Sequence, residues 1–389
     1  MAKEPRVILL IVPARAFDRA LLRGIARYAN EHGPWTFLRE PAHYRPIGWK
    51  KKVLDRLHSG QVDGLIMREP ERIEDILKMH IPGICAPVTQ RTVDGMINVV
   101  IDNEAVGRMG AEHLLERGFR HFAYCGFEGI YWSEKRCQGF ASRIRQAGFK
   151  VDVYAQPRSR DIQGLWEMEQ PVLADWLQGL PKPVGLMTCN DDRSQHVSET
   201  CHAARLHVPN DIAIIGVDND EFVCEMANPP LSSVCLNAEA IGYRAAATLH
   251  EVIAGRAVED TTIIGGPTYI VARKSTDIML IDDAVIARAL RHIRQSTHEP
   301  IQVIDVAEVL AISRRSLEQR FRRVVGRSVH EQILYERVDR IMRLLLETRI
   351  SISQIAHILN FSSTKQLDRV FSRYTGMNPS EYRKQYCIK

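Results

Sequence analysis

Residues 303–326 read VIDVAEVLAISRRSLEQRFRRVVG, and residues 352–383 read ISQIAHILNFSSTKQLDRVFSRYTGMNPSEYR. The two stretches are copies of one pattern. Leu317, Phe321 and Gly326 recur as Leu367, Phe371 and Gly376 at an offset of 50, while Ala307, Leu310 and Ser313 recur as Ala356, Leu359 and Ser362 at 49. The difference places one extra residue in the second copy, at the turn around Ser362-Ser363. Each copy predicts a short amphipathic helix, 303–310 or 352–359, then a serine-rich turn able to cap a second helix. In the first copy Leu317, Phe321, Val324 and Val325 fall at i, i+4, i+7 and i+8, an apolar stripe expected to face inward. In the second, Leu367, Phe371 and Tyr374 do the same. Gly326 and Gly376 stand where a helix ends on a left-handed residue. A duplicated helix-turn-helix is the expectation.

The faces left outside carry Arg314, Arg315, Glu318, Gln319 and Arg322 in the first copy, and Thr364, Lys365, Asp368, Arg369 and Ser372 in the second. A helix in the major groove uses such groups: arginine and lysine toward guanine, glutamine toward adenine, a carboxylate toward the cytosine amino group. Charged helix faces are often only solvated, but here both copies charge the same face of the same helix. From residue 285 onward there are 19 Lys and Arg against 10 Asp and Glu, whereas the rest of the chain holds 33 against 37. The net charge of +5 therefore hides a basic tail on an acidic body. That distribution suits phosphate contact by the tail alone.

A chain of 389 residues is long for one core, so two or three domains are expected. No apolar run approaches a membrane-spanning length. Lys3 and Arg6 ahead of 7–12, with Ala14-Arg15-Ala16 following, imitate a signal peptide, but an apolar run of six residues is too short for one and reads as a first buried strand. The eight cysteines form no CxxC pair and no metal-ligand spacing with histidine, so they are expected as reduced, mostly buried residues of a cytoplasmic protein, with no metal and no cofactor. No GxGxxG follows the first apolar run, and GxxxxGK[ST], GxSxG and HExxH are absent, which leaves an enzyme little support.

From residue 6 to 276, strands are expected at 6–12, 36–39, 62–67, 84–86, 98–101, 121–126, 151–154, 184–188, 213–217 and 233–236, interleaved with helices at 17–31, 106–116, 134–146, 192–204 and 238–254. Such alternation predicts parallel sheets covered by helices, and too many strands are present for one compact sheet, so two lobes are expected. Ligands in these folds bind beyond the carboxyl ends of strands. Those positions hold Asp102-Asn103, Asn190-Asp191-Asp192 and Asp218-Asn219-Asp220-Glu221. Singly, each reads as a helix cap. Together they suggest a ring of carboxylates for sugar hydroxyls, with Trp132 to stack and Arg136 to donate.

Residues about 285 to 389 resemble the DNA-binding domain of the AraC/XylS family. The strings that carry this are Ile355-Ala356, Phe361-Ser362-Ser363, Phe371, Gly376-Met377-Asn378-Pro379 and Glu381-Tyr382-Arg383. The resemblance implies seven helices, a long one at 329–347 joining two helix-turn-helix units, with Arg315, Glu318 and Gln319 and then Thr364, Lys365, Asp368 and Arg369 facing double-stranded operator DNA. Asp368 could instead pair with a neighbouring arginine.

Residues about 5 to 276 resemble the LacI/GalR-type, periplasmic-binding-protein-like sensors. Here the strings are Val99-Val100-Ile101-Asp102-Asn103, Arg136-Cys137-Gln138-Gly139-Phe140, Cys189-Asn190-Asp191-Asp192, Ile214-Ile215-Gly216-Val217-Asp218-Asn219 and Leu231-Ser232-Ser233-Val234. This resemblance implies effector contacts from Arg136, Asp191 and Asp218, with Asp18 and Arg19 joining by analogy. The joint pattern implies a two-lobed α/β sensor at 1–276, a linker at 277–284 and an all-α reader at 285–389. It further implies a homodimeric activator acting beside RNA polymerase and controlled by a monosaccharide, a pentose such as D-xylose; the alternative is a DNA-binding regulator that answers to a non-pentose small molecule or has a degenerate sensor. Pro13-Ala14-Arg15-Ala16 and Glu128-Gly129-Ile130-Tyr131 depart from the familiar pattern beside the expected pocket.

Overall fold

The computed structural model describes residues 5–39, 57, 62–69, 73–89, 91–157, 166–297 and 300–386. The chain runs β1 (Arg6–Leu10), α1 (Ala16–His32), β2 (Thr36–Arg39), β3 (Gly64–Arg68), α2 (Ile73–Leu77), β4 (Gly83–Ala86), β5 (Ile97–Ile101), α3 (Asn103–Leu115), β6 (His121–Cys125) and α4 (Tyr131–Gln146). It continues β7 (Val151–Val153), α5 (Trp166–Gly179), β8 (Val184–Thr188), α6 (Asp191–Ala203), β9 (Ile212–Val217), α7 (Glu221–Met226), β10 (Ser232–Leu236), α8 (Ala238–Ile253), β11 (Thr262–Gly265) and β12 (Pro267–Val271).

These strands make two six-stranded sheets, ordered β11-β5-β4-β3-β1-β2 and β12-β10-β9-β8-β6-β7. Every pairing is parallel except that of β10 with β12. Central strands are continuous apolar runs because both faces are covered: all six residues of Ile212–Val217 are buried. Each expected strand has its counterpart, whereas β11 and β12 escape a pattern reading. They are short, adjoin at Gly265-Gly266, and their partners β5 and β10 lie far back in the chain. The expected first strand also stops early, at Leu10. Val12 is 74 % exposed, because its carbonyl accepts the Ala14 amide and the chain turns toward α1.

The chain crosses between lobes at Asp102, Asn237 and Gly266. The crossings are tied to one another: the Asp102 amide donates to the Gly265 carbonyl at 2.8 Å, and the Gly266 amide to Asn237 Oδ1 at 2.8 Å. In the second lobe α3 and α4 pack backbone to backbone. A Cβ on Gly107 would lie 2.1 Å from the Arg136 carbonyl oxygen, and one on Gly139 2.1 Å from that of Glu104, so only glycine permits the approach.

Seven helices follow: α9 (Ala284–Gln295), α10 (Val303–Val309), α11 (Arg314–Val325), α12 (Val329–Glu347), α13 (Ile352–Ile358), α14 (Thr364–Thr375) and α15 (Pro379–Tyr386). They enclose two cores, one around Leu317 and Phe321, the other around Leu367 and Phe371, and α12 contributes to both. Residues 278–281 are not a free linker. Ile278 and Leu280 pack into the sensor core, and Met279 and Ile281 into the first core of the reader. The Leu280 amide also donates to the Arg117 carbonyl at 2.7 Å. Of the cysteines, Cys85, Cys125, Cys189, Cys201, Cys224 and Cys235 are buried and Cys137 is half-buried, all as free thiols; Cys387 lies outside the described residues.

Candidate effector cleft and nucleic-acid interface

The two helix-turn-helix units are built alike. Ser313 Oγ accepts the Ser316 amide and Ser363 Oγ the Gln366 amide, each at 3.2 Å, so both second helices start on a serine cap. Ala311 and Asn360 hold left-handed φ angles of 54° and 51°, and Gly326 and Gly376 close the helices at 81° and 74°. Caps at offset 50 and left-handed turn residues at 49 identify Ser362 as the extra residue. Its amide and hydroxyl both donate to Gln366 Oε1 at 2.9 Å.

Arg314, Arg315, Gln319 and Arg322 are exposed on α11, as are Thr364, Lys365 and Arg369 on α14. Two acidic positions differ from them. Glu318 is half-buried, and its Oε2 accepts the Val329 amide at 3.4 Å, turning it toward the N-terminus of α12. Asp368 is also half-buried, and among the described residues it makes no ion pair with an arginine. Val324 leaves the expected inward stripe. At 37 % exposure it faces a crevice shared with Leu115 and Gly118 of the sensor, because the stripe's last turn overhangs the domain junction.

In the sensor, a cleft between the lobes is lined from one side by Arg15, Phe17, Arg68, Arg91 and Ile101, and from the other by Asn103, Tyr131, Trp132, Arg136, Asn190 and Asp218. It opens at the carboxyl ends of the strands of both sheets, where this topology leaves a crevice. Arg136, 4 % exposed, is fixed in place: Nε donates to Asn103 Oδ1 at 3.0 Å, Nη1 donates to the Cys189 carbonyl, and its guanidinium lies 5.0 Å from the Trp132 ring centre. Nη2 stands 3.6 Å from Asp218 Oδ1. Asp218 has a left-handed φ of 99°, and its buried Oδ1 accepts no hydrogen bond from any described residue. Burial pushes its carboxyl above the usual range despite Arg136.

The expected ring of carboxylates does not form. Asp191 is 2 % exposed and spends both oxygens internally, accepting from the Asp220 amide at 2.7 Å and from Ser233 Oγ at 2.6 Å. Burial, reinforced by Asp218, raises its carboxyl well above the usual range. It positions the loop that carries Asp218 and does not line the cleft. Asp102 caps α3 by accepting the Ala105 amide at 2.8 Å. Asp18, 5 % exposed, lies behind the cleft wall paired with Arg68. Arg19, Asn219 and Glu221 line a separate opening that also touches Glu347 and Arg349 of the reader. Of the lining residues, Phe17, Arg68 and Arg91 lie outside the expected contacts, whereas Asn103 and Asn190 belong to the strand-end runs expected there. Arg68 ends β3, one residue beyond the expected strand.

The sensor meets the reader through polar contacts around β12 and α12. Tyr269 donates to Glu347 Oε1 and Arg343 Nη2 to the Ile270 carbonyl, both at 2.8 Å, and Arg327 pairs with Glu116 at 2.9 Å.

A periplasmic binding protein-like domain matches residues 111–276, and a helix-turn-helix domain matches residues 306–385. Over 390 residues the chain is 28 % identical to the xylose operon regulatory protein of Haemophilus influenzae, covering 97 % of this chain and 98 % of that one. It is 28 % identical over 392 residues to the xylose operon regulatory protein of Escherichia coli K12, covering 98 % and 97 %. Among solved structures, that of a xylose-binding transcription activator superimposes with a TM-score of 0.59 at 27 % identity, with 98 % of each chain covered. No helix among the described residues is long and apolar enough to cross a membrane. The chain is thus a transcription regulator in which a periplasmic-binding-protein-like sensor is joined to an AraC-type helix-turn-helix reader, similar along its whole length to the xylose operon regulators.

Proposed function

We propose that the protein is a sugar-responsive transcription activator of the cytoplasm, binding operator DNA through α11 and α14 under control of a monosaccharide held between the sensor lobes. The observation that carries this reading is the junction: alternate side chains of 278–281 enter the sensor core and the reader core, so a movement of one lobe reaches the recognition helices. Arg314, Arg315, Gln319, Arg322, Thr364, Lys365 and Arg369 contact DNA. Arg136, Trp132 and Asp218, with Asn103 and Asn190, contact the sugar. The xylose regulators it resembles make a pentose, D-xylose first, the starting candidate. A homodimer would set two readers on adjacent half-sites beside RNA polymerase. A sugar acts only through its preference for one lobe arrangement.

The test is selection of binding sites from random DNA by the full chain, followed by titration of the selected site with and without sugars. Sequence preference over random DNA, with an affinity that a monosaccharide changes, is the expected result. Equal binding to selected and random DNA would overturn the reader assignment; insensitivity to every small molecule would overturn the sensor assignment.

A further inference from the structure

The cleft wall carries an excess of positive charge beyond the groups that a neutral sugar needs. Arg15, Arg68, Arg91 and Arg136 all line it, and Asp218 is the one carboxylate among the described lining residues. The neighbouring acids are committed elsewhere: Asp18 to Arg68, Asp191 to the Asp220 amide and Ser233, Asp220 to Arg19, and Asp102 to the α3 N-terminus. Arg15 and Arg91 are exposed at the mouth, and no described carboxylate pairs with either. Hydroxyl partners are present beside this charge: Asp218, whose Oδ1 accepts no hydrogen bond from a described residue, Asn103 and Asn190, flanked by the rings of Phe17, Tyr131 and Trp132.

We infer that the effector is an anionic monosaccharide derivative, a polyol of sugar size whose carboxylate or phosphate is held by Arg15 and Arg91 while its hydroxyls meet Asp218 and Asn190. The guanidinium fork matches the two oxygens of either anion, and a narrow cleft of one sign concentrates such a ligand. Arg68 and Arg136 are offset by Asp18 and Asp218, which leaves Arg15 and Arg91 as the charge that the ligand meets. This inference rests on the sugar-responsive reading above and narrows it.

The full-length protein should be titrated by calorimetry with D-xylose and D-glucose, with D-xylonate and D-gluconate, and with D-xylose 5-phosphate and D-glucose 6-phosphate. Acetate and inorganic phosphate at matched ionic strength serve as controls. A sugar acid or a sugar phosphate should bind at least about tenfold more tightly than its neutral parent, and in the Arg15→Gln/Arg91→Gln double variant the two should bind within about twofold of one another. Which arm responds tells carboxylate from phosphate. A neutral sugar bound as tightly as its acid and its phosphate overturns the anionic inference and leaves the sugar reading standing. Equal binding of acetate or phosphate alone also overturns it, since no polyol is then recognised. No binding by any member of the panel overturns both. Both substituted side chains are exposed, and circular dichroism of the double variant verifies its fold.

Discussion

Arg19 on the first lobe reaches Asp220 on the second, Nη2 to Oδ2 at 2.5 Å. Asp220 is itself anchored, because its amide donates to the buried Asp191. The ion pair therefore fastens α1 to the loop that carries Asp218, bridging the lobes beside the cleft.

Removing that fastener should loosen the closed arrangement. Arg19→Ala is expected to raise the radius of gyration of the free protein in X-ray scattering and to weaken effector binding about fivefold, a modest effect because the guanidinium is 38 % exposed. Unchanged scattering and affinity would show that the pair does not hold the lobes.

At the domain junction, Asp339 should make stability depend on pH. Burial pushes its carboxyl up to about 6, against the pull of Arg343 at 2.8 Å. The folded state then keeps a proton that the unfolded chain, with an ordinary value of about 4, has released. The stability this group contributes is full below about pH 4 and is lost as pH rises through 6. Asp339→Asn should flatten the decline of unfolding free energy between these values by on the order of 1 kcal/mol, a figure discounted because the carboxyl is 27 % exposed. Urea melts at several pH values measure it, and a slope equal to that of the parent would refute the assignment.

Base reading should separate from phosphate contact. Arg315→Ala is expected to cost about 10- to 100-fold on the selected operator and much less on random DNA. Equal losses on both would make Arg315 a phosphate ligand.

Signal transfer should run through the contact of β12 with α12. Tyr269→Phe removes the hydroxyl bonded to Glu347 and leaves both binding surfaces intact. Sugar affinity of the free protein and DNA affinity of the sugar-free protein should each stay within about twofold, while the change in DNA affinity on adding sugar shrinks. Full retention of that change would place the coupling elsewhere.

The close helix crossing of the second lobe should tolerate no side chain. Gly107→Ala forces a Cβ onto the Arg136 carbonyl, so a destabilisation of about 1–3 kcal/mol is expected. A melting temperature equal to the parent's would contradict the packing.

The helix-turn-helix repeat was legible because its signals are local. A serine cap, a 3.6-residue stripe and a left-handed glycine depend on neighbours within one turn, and the chain repeats all three. The parallel strands were legible for a related reason, since burial on both faces leaves an uninterrupted apolar run. β11 and β12 carried no such run. Only their distant partners β5 and β10 make them strands.

The cleft was half legible. Its place at the strand ends followed from topology, and Trp132, Arg136 and Asp218 do line it. What each carboxylate does there was not, because an Asp after a strand reads the same whether it caps a helix, braces a loop or faces a ligand. Asp102, Asp191 and Asp218 take those three roles in turn.

By itself, then, the sequence determined the basic repeated reader and the alternation of strand and helix, since both are written in periodicities that neighbouring residues satisfy among themselves. Only the tertiary structure decided that the cleft is walled by arginines from four separate segments and that 278–281 is clamped between two cores. Those properties arise from long-range packing, which brings together residues that the chain keeps apart.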